Sequence, residues 1–359
     1  MSKIVSIGTA VPAYCHQQMD ILPFMQNMYA ANEAEKRKLK FMYLQSGINQ
    51  RYSVIPDYSK SIHEWKFYPQ TENLEPFPSL EQRMAVYNKQ APLLSVDAIR
   101  DCLNHLHHPK NINHLITVSC TGMSAPGLDL QIMELMDFEK TIFRTSVNFM
   151  GCYAAIHALK IADAICYQDK NAQVLIVCTE LCTLHLQKEA TMDNMASSLL
   201  FGDGAAAVLI MHNEAECEGL MIDNFYSEIN PKGKRDMAWE LSSSGFLMTL
   251  SGYVPELIEE DFAAITQRAL AKEQTTIKDV SHWCIHPGGK KIVQAIHKSL
   301  GFTNGQLQCS YDVLKEFGNL SSASILFVLK KMMQQRPVEK LFGAAFGPGL
   351  TIETFTAHT

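Results

Sequence analysis

The sequence predicts an α/β protein, and two observations carry the prediction. Apolar β-like runs alternate with stretches of helical periodicity along most of the chain. A strand–turn–helix pattern also occurs twice, at HLITVSCTG and again at HWCIHPGG. This internal repeat indicates two related, stacked halves, although strand–turn–helix units recur in all α/β proteins.

The predicted elements follow from local pattern. Five apolar runs predict strands, at 114–120, 174–180, 205–210, 282–286 and 339–346. Three segments with helical spacing of apolar residues predict helices, at 153–168, 290–300 and 320–334. Because no Gly/Ser linker or low-complexity tract separates these elements, we expect one compact unit.

Composition narrows the class of protein. The chain has 359 residues, of which 47% are hydrophobic, enough for a large core or two fused domains. A net charge of −6 and the lack of a Lys/Arg stripe interleaved with aromatics exclude nucleic acid as an expected partner. The sequence has no apolar stretch typical of a membrane span and no secretory signal, so we expect a cytoplasmic protein without membrane association.

Cysteine and histidine usage predicts neither disulfides nor a metal site. The ten cysteines are scattered, and several lie in apolar runs, as Cys178 does, which is typical of buried free thiols. The segment NHLHHPKNINH contains His105, His107, His108 and His114, but a His/Pro/Asn-rich connection is more typical of a surface loop. Nucleotide-binding glycine motifs are also missing.

The segment NFMGCYAA places Cys152 after Gly151 and at the start of a predicted helix. Unpaired backbone N–H groups and the helix dipole at such a position favour thiolate over thiol. Gly151 would permit a sharp turn without a Cβ clash. Cys152 is therefore a candidate nucleophile, with an inert small apolar side chain as the alternative.

Two further residues lie on turns after extended segments. His286 ends a β-like run and precedes Pro-Gly-Gly, whereas Asn319 follows Gly318 and precedes a predicted helix. Taken singly, His286 is compatible with a structural role and Asn319 with a helix N-cap. Together with Cys152 they suit thioester carbon chemistry, in which the thiolate takes an acyl group and two neutral donors stabilise an enolate.

With these residues in place, the chain resembles the type III polyketide synthases, the chalcone-synthase-like branch of the thiolase-fold condensing enzymes, and in particular their bacterial members. The resemblance runs over nearly the whole chain. Its motifs are, in order, SIGTAVPA, SCTGMSAPGLDLQ, FMGCYAA, VLIVCTE, LFGDGAAA, HPGG, GNLSSAS and FGPGLTIE.

The resemblance implies a layered αβαβα thiolase fold with two pseudo-repeated halves. Residues 1–225 would carry the nucleophile Cys152, and residues 226–359 would carry His286 and Asn319. The implied reaction is iterative decarboxylative condensation of an acyl starter with malonyl-CoA, followed by cyclisation to a pyrone or resorcinol. A lipid-like starter is expected. The resemblance implies a homodimer that uses coenzyme A thioesters as substrates and needs no metal or other cofactor.

Substrate-binding residues are also implied by the resemblance. They are Lys38, Cys120, Met248, Phe346, Gly347, Pro348 and Gly349. Cys120 falls where plant enzymes have a cavity threonine, and a cavity wall is its expected role. Met248 falls where plant enzymes have one gating phenylalanine, and the other gating position is expected near Ile222. Trp239 aligns near a cavity glycine of chalcone synthases, with a core aromatic as the alternative.

The coenzyme A contacts depart from the plant pattern. Lys38 matches a basic residue that holds the phosphates, whereas Phe41 and Gln45 fall where basic residues are expected. Lys40 or Arg37 could substitute for them. The departure leaves open a starter delivered by an acyl carrier protein.

Two other functions compete with this interpretation. A ketoacyl-acyl carrier protein synthase III-like enzyme shares the fold and the Cys, His and Asn, but HPGG and GPGLTIE favour the polyketide branch. A non-catalytic partner subunit with this fold should have lost the nucleophile, and this chain retains Cys152.

Overall fold

The structure is a computed structural model that describes residues 1–104, 111–303, 305–335 and 337–359. The elements of the first half are β1 (Ser2–Ala10), β2 (Tyr14–Gln17), α1 (Gln18–Tyr29), α2 (Glu33–Gln45), β3 (Gln50–Ser53), α3 (Leu80–Leu103), β4 (His114–Ser119), α4 (Leu128–Met136), β5 (Phe143–Asn148), α5 (Ala154–Gln168), β6 (Gln173–Leu181), α6 (Met192–Leu200) and β7 (Asp203–His212). Those of the second half are β8 (Leu220–Ile229), β9 (Met237–Ser242), β10 (Gly245–Leu250), α7 (Val254–Ala271), β11 (His282–Ile285), α8 (Lys290–Ser299), α9 (Gln308–Phe317), α10 (Ser324–Met333), β12 (Leu341–Gly347) and β13 (Thr351–His358).

The five predicted strands are confirmed as β4, β6, β7, β11 and β12, and two of the predicted helices as α5 and α8. The third predicted helix, 320–334, starts later. A short 3-10 turn, Ser321–Ala323, precedes α10 because the Ser324 hydroxyl accepts a hydrogen bond from the Leu320 N–H at 2.7 Å. This local bond replaces the first α-helical turn.

In the described part of the chain, nine strands form one sheet in the order β11-β12-β13-β8-β1-β7-β6-β4-β5. The same pairing pattern occurs in both halves. The run β4, β6, β7, β1 pairs parallel, antiparallel and antiparallel, and so does the run β11, β12, β13, β8. The predicted internal repeat therefore exists in the topology of the sheet.

Alternating side chains sort the molecule into layers. Val174, Ile176 and Cys178 of β6 pack in a central cluster with the buried helices α5 and α10. The intervening residues Leu175 and Val177 pack in an outer cluster with α1 and α3. On the second half, α7 and α8 pack against the outer faces of β11 and β12. This is the αβαβα arrangement that the resemblance implied.

The two halves meet at a short seam. Strands β1 and β8 share two residue pairs, Lys3 with Met221 and Ile4 with Leu220. The predicted boundary between residues 225 and 226 falls inside β8, so this strand would belong to both predicted halves.

Two further observations concern the described residues taken together. Within the described ranges, no helix is both long enough and apolar enough to cross a membrane. All ten cysteines lie in those ranges and are free thiols.

Candidate active site

The nucleophile candidate Cys152 lies on a tight turn between β5 and α5. Phe149 and Gly151 both have positive φ, 58° and 82°, which reverses the chain direction just before the helix. A Cβ on Gly151 would lie 2.2 Å from Cδ of Pro348, so only glycine fits here. The expected sharp bend is present, and it brings the loop around Pro348 against the cysteine.

Burial dominates the electrostatics of Cys152. It raises the pKa of the thiol to about 12, although hydrogen bonding with Ser321 and Asn319 lowers it. The thiol lies 3.8 Å from the Ser321 hydroxyl oxygen. The sequence predicted a thiolate favoured by the helix terminus, but Cys152 lies two residues before α5 and its desolvation outweighs that effect. The resting sulfur is therefore a thiol at neutral pH and needs a base.

His286 follows β11 at the start of the Pro-Gly-Gly turn. Its backbone N–H donates to the Ala344 carbonyl at 2.9 Å, which fixes the residue to the end of the sheet. The side chain is 2% exposed, and neither ring nitrogen has a hydrogen-bond partner among the described residues. Burial lowers the pKa of His286 to about 3, so the ring is neutral at neutral pH. One nitrogen can accept a proton while the other donates one.

Asn319 is held by both its backbone and its side chain. Its backbone N–H donates to the Leu200 carbonyl at 2.8 Å. Its Oδ1 accepts from the Ser321 N–H at 2.9 Å, and its Nδ2 donates to the Gly288 carbonyl at 3.3 Å. The Asn319 side chain also hydrogen-bonds with the Cys152 sulfur, which lowers the pKa of that thiol. Asn319 thus links the turn before α10 to the loop that carries His286.

Cys152, His286 and Asn319 line one cavity of about 430 Å³. Four of the predicted substrate-binding residues also line it: Cys120, Met248, Phe346 and Pro348. Gly347 and Gly349 are not among its lining residues. A Cβ on Gly347 would lie 2.5 Å from Cδ1 of Tyr153, so glycine permits the close approach of the two loops.

Cys120 is packed into the wall of the cavity. It is 3% exposed, and its sulfur accepts a hydrogen bond from the Gly151 N–H at 3.0 Å. Burial, together with the nearby Glu180 carboxylate, raises its pKa well above the ordinary range. These contacts fit a wall residue better than a second nucleophile.

The cavity has an aromatic side formed by the β9–β10 hairpin. Met248 pairs with Trp239 across the hairpin, and both line the cavity. The Trp239 Nε1–H donates to the Cys120 carbonyl at 2.7 Å. Phe246 stacks on His185 with ring centroids 4.2 Å apart. Trp239 is therefore a cavity residue and not only a core aromatic.

One predicted gating position was wrong. Ile222 is 2% exposed within the central core cluster and does not line the cavity. Phe201 lines it instead, and its backbone forms a bridge with Asn319. The sequence could have indicated Phe201 as a cavity residue, because it lies in the motif LFGDGAAA directly before the Gly-Asp-Gly turn.

Glu180 is a residue that the sequence did not single out. It lies on β6 with no exposed surface. Its carboxylate accepts hydrogen bonds from the Cys120 N–H, the Thr121 hydroxyl and the Ser322 hydroxyl. Burial raises its pKa. Glu180 ties the loop after β4 to the turn that follows Asn319.

Lys38 does not line the cavity but lies next to it. Its Nζ is 3.2 Å from the sulfur of Met192, which does line it.

Of the metal candidates, His105, His107 and His108 lie outside the described residues, and His114 stacks on Phe143. Elsewhere in the described ranges, no group of three or more His, Cys, Asp or Glu could hold a metal ion.

Comparisons with known proteins point to one family. Two family models match: "Chalcone and stilbene synthases, N-terminal domain" over residues 1–213 and "Chalcone and stilbene synthases, C-terminal domain" over residues 222–359. The chain is similar to a putative chalcone synthase of Bacillus subtilis, with 29% identity over 98% of this chain and 97% of the relative. It is 28% identical to the alpha-pyrone synthesis polyketide synthase-like Pks18 of Mycobacterium tuberculosis, over 98% of this chain and 90% of the relative.

A longer relative and a solved structure give the same result. The chain is 30% identical to probable polyketide synthase 1 of Dictyostelium discoideum over 98% of its own length, but it spans only 11% of that relative. The crystal structure of the C-terminal type III polyketide synthase domain of Steely1, a type I/III hybrid from Dictyostelium, superposes with a TM-score of 0.91. It has 27% identity and covers 100% of this chain and 99% of that one.

Proposed function

Because this chain belongs to the chalcone and stilbene synthase family and is an acyltransferase of the type III polyketide synthase class, we propose that it extends an acyl thioester repeatedly with malonyl units on Cys152. One observation carries most of the support. The buried ring of His286, unpartnered within the described part of the chain, borders the same cavity as Cys152 and Asn319. A reaction through an enolate requires such donors beside the nucleophile.

The first half-reaction loads the starter. The Cys152 sulfur attacks the thioester carbonyl carbon, and the carrier thiolate leaves. His286 is the candidate base, because its neutral ring can accept the thiol proton as the sulfur attacks. The same proton then passes to the leaving thiolate, so the ring is neutral again for the next step.

The second half-reaction adds two carbons. Malonyl-CoA loses carbon dioxide, and the electron pair of the broken C–C bond forms an enolate. A ring N–H of His286 and the Asn319 amide donate hydrogen bonds to the enolate oxygen. The enolate carbon attacks the acyl carbonyl on Cys152 and releases the sulfur. The longer thioester then reloads on Cys152 for another round.

We propose a lipid-like starter and a pyrone or resorcinol product. The support is the apolar lining of the cavity, which includes Ile21, Met25, Met42, Leu186, Leu199 and Leu250. Apolar walls hold an alkyl chain without charged or hydrogen-bonded fixation. The similarity to a relative named for alpha-pyrone synthesis also favours a pyrone.

The proposed substrates are malonyl-CoA and a starter carried by coenzyme A or by an acyl carrier protein. We propose that the protein acts as a homodimer and without a metal or other cofactor. The open edge of β5 supports the dimer, since five of its six residues are not buried.

Product analysis tests this function. The protein is incubated with malonyl-CoA and a panel of acyl-CoA starters of increasing chain length, with the Cys152→Ala variant as the blank. We expect cyclic products that contain several malonyl units and come mainly from long starters. A single condensation to a linear β-ketoacyl product would indicate the ketoacyl synthase III-like alternative.

A further inference from the structure

The mouth of the cavity lies between three helices. Phe41 and Gln45 of α2, Met192 at the start of α6, and Lys290 and Lys291 at the start of α8 all belong to its lining. When a thioester reaches Cys152 through this mouth, the end of its carrier that is far from the thioester bond must lie between these residues.

Both sides of this mouth carry positive charge: α8 contributes two lysines, and α2 contributes Lys38, whose Nζ lies 3.2 Å from the Met192 sulfur. Phe41 is 65% exposed, and Gln45 is exposed and uncharged, so these two positions of α2 offer only an apolar surface and an amide. The two lysines of α8 face the same opening. Among the described lining residues, Asp193 is the only carboxylate close to the mouth.

Lys290 crosses the opening toward α2. Its side-chain carbons would lie 3.1 to 3.5 Å from a Cβ on Gly47, which follows the end of α2. The residue is half-buried and Lys291 is exposed. Within the described ranges, the ammonium group of neither lysine has an ion-pair or hydrogen-bond partner. Two cations without counter-charges thus stand at the entrance.

The backbone next to these lysines also favours an anion. Helix α8 begins after Gly289, which supplies no side-chain cap, and its first turn has no acidic residue. Its first N–H groups are therefore open to a ligand. The same loop carries the buried, unpartnered ring of His286 at its inner end, which lines the cavity. One short segment thus connects the entrance with the reaction centre.

We propose that Lys290 and Lys291 bind the phosphate groups of coenzyme A thioesters, and that α8 thereby takes over the role that α2 lacks at Phe41 and Gln45. The proposal rests on the proposed function and adds the residues that recognise its substrates. Coenzyme A carries a diphosphate and a 3′-phosphate, which lysine ammonium groups bind through charge-assisted hydrogen bonds. The uncharged pantetheine arm can then extend past Gly288 and Gly289 to Cys152.

The first test compares substrates with and without phosphates. We measure kcat/KM of the native chain and of the Lys290→Gln/Lys291→Gln variant with malonyl-CoA and with malonyl-N-acetylcysteamine, which has the same reacting atoms. For each protein we divide kcat/KM for malonyl-CoA by kcat/KM for malonyl-N-acetylcysteamine. This ratio should be about tenfold lower or more in the variant than in the native chain, mainly because KM for malonyl-CoA rises. Lys298→Gln is the matched control, since Lys298 lies on α8 but pairs with Glu259. An equal loss with both substrates would overturn the proposal.

The second test is independent of turnover. Calorimetric titration with coenzyme A, 3′-dephospho-coenzyme A and pantetheine measures binding directly. The double variant should bind coenzyme A about tenfold more weakly than the native chain, and the difference should shrink for pantetheine. Equal affinities of both proteins for coenzyme A would contradict the proposal. Coenzyme A binding that depends on the lysines, in a chain that forms no polyketide, would uphold this site and reject the proposed function.

Discussion

Cys152 can be acylated only if its thiol loses a proton during the attack, because burial raises its pKa to about 12. We expect Cys152→Ala to abolish both acyl loading and product formation. Intact-protein mass spectrometry after incubation with an acyl-CoA should show one added acyl group on the native chain and none on the variant. The matched control is Cys15→Ala, which removes an exposed thiol. Full condensing activity in Cys152→Ala would remove this residue from the mechanism.

His286 and Asn319 are predicted to stabilise the same enolate oxygen. His286→Ala and Asn319→Ala should each slow the decarboxylation of malonyl-CoA about 100-fold to 1000-fold, the cost of removing one preorganised donor. Formation of acetyl-CoA measures this step. His297→Ala serves as the control, because the His297 Nε2–H donates to the Thr303 carbonyl on the outside of α8, away from the cavity. Unchanged decarboxylation in both variants would exclude these residues.

The buried neutral ring of His286 also makes stability depend on pH. Burial lowers its pKa from 6.5 to about 3, so between these values the unfolded chain binds one more proton than the folded chain. The free energy of unfolding should therefore decrease as the pH falls through this window, by about 1.4 kcal/mol per pH unit for this group.

Urea unfolding at several pH values from 7.5 to 4.5 checks the sign. The His286→Gln variant should lose less stability on acidification than the native chain, because glutamine does not titrate. His297→Gln is the reference variant, with His297 less buried on α8. Parallel pH profiles for the native chain and His286→Gln would show that burial does not hold this ring neutral.

The motifs of the sequence located Cys152, His286 and Asn319 but not their electrostatics. Desolvation depends on all the groups packed around a side chain, and the sequence around Cys152 shows only the helix that follows it. The roles of these three residues stay predictions. Their common cavity was not predictable from spacing, because Cys152 and His286 belong to different halves of the sheet.

At the scale of elements, the bend before α5 depends on Gly151. Gly151→Ala would force a Cβ to within 2.2 Å of Pro348 at a φ of 82°. We expect a loss of about 1–2 kcal/mol from the backbone conformation alone, with a further loss of activity as the loop around Pro348 is displaced. Thermal unfolding and kcat measure the two effects. Gly301→Ala is the control, since its φ of 62° shares the backbone cost whereas a Cβ there would meet no atom within 4 Å. Equal activity and stability of the two variants would contradict this view.

The strands were predicted where their pattern was strong. Runs such as VLIVCTE are buried on both faces of the sheet, which gives a continuous apolar signal. The hairpin of β9 and β10 was missed, because WELSSSGFL alternates only weakly and the hairpin pairs with no strand of the main sheet. Ile222 was misplaced for a related reason: β8 passes through the core, and only the three-dimensional structure shows which strand borders the cavity.

At the scale of the whole molecule, β5 leaves an open edge. Among the described residues it pairs only with β4, and Phe143 at its start is 68% exposed. We expect a second copy of the chain to cover this edge, so sedimentation at micromolar concentration should give a dimer. Phe143→Lys should weaken the dimer, whereas Tyr167→Lys, on the exposed end of α5, should not. A native monomer at that concentration would contradict the prediction.

The protonated state of the Cys152 thiol has a consequence for the lifetime of the enzyme. Peroxides and small electrophiles react with thiolates far faster than with thiols. A sulfur that stays protonated until a thioester fills the cavity is latent toward such reagents. The resting protein should therefore resist oxidative inactivation. While the cavity is empty, few enzyme molecules should lose activity through oxidation of Cys152.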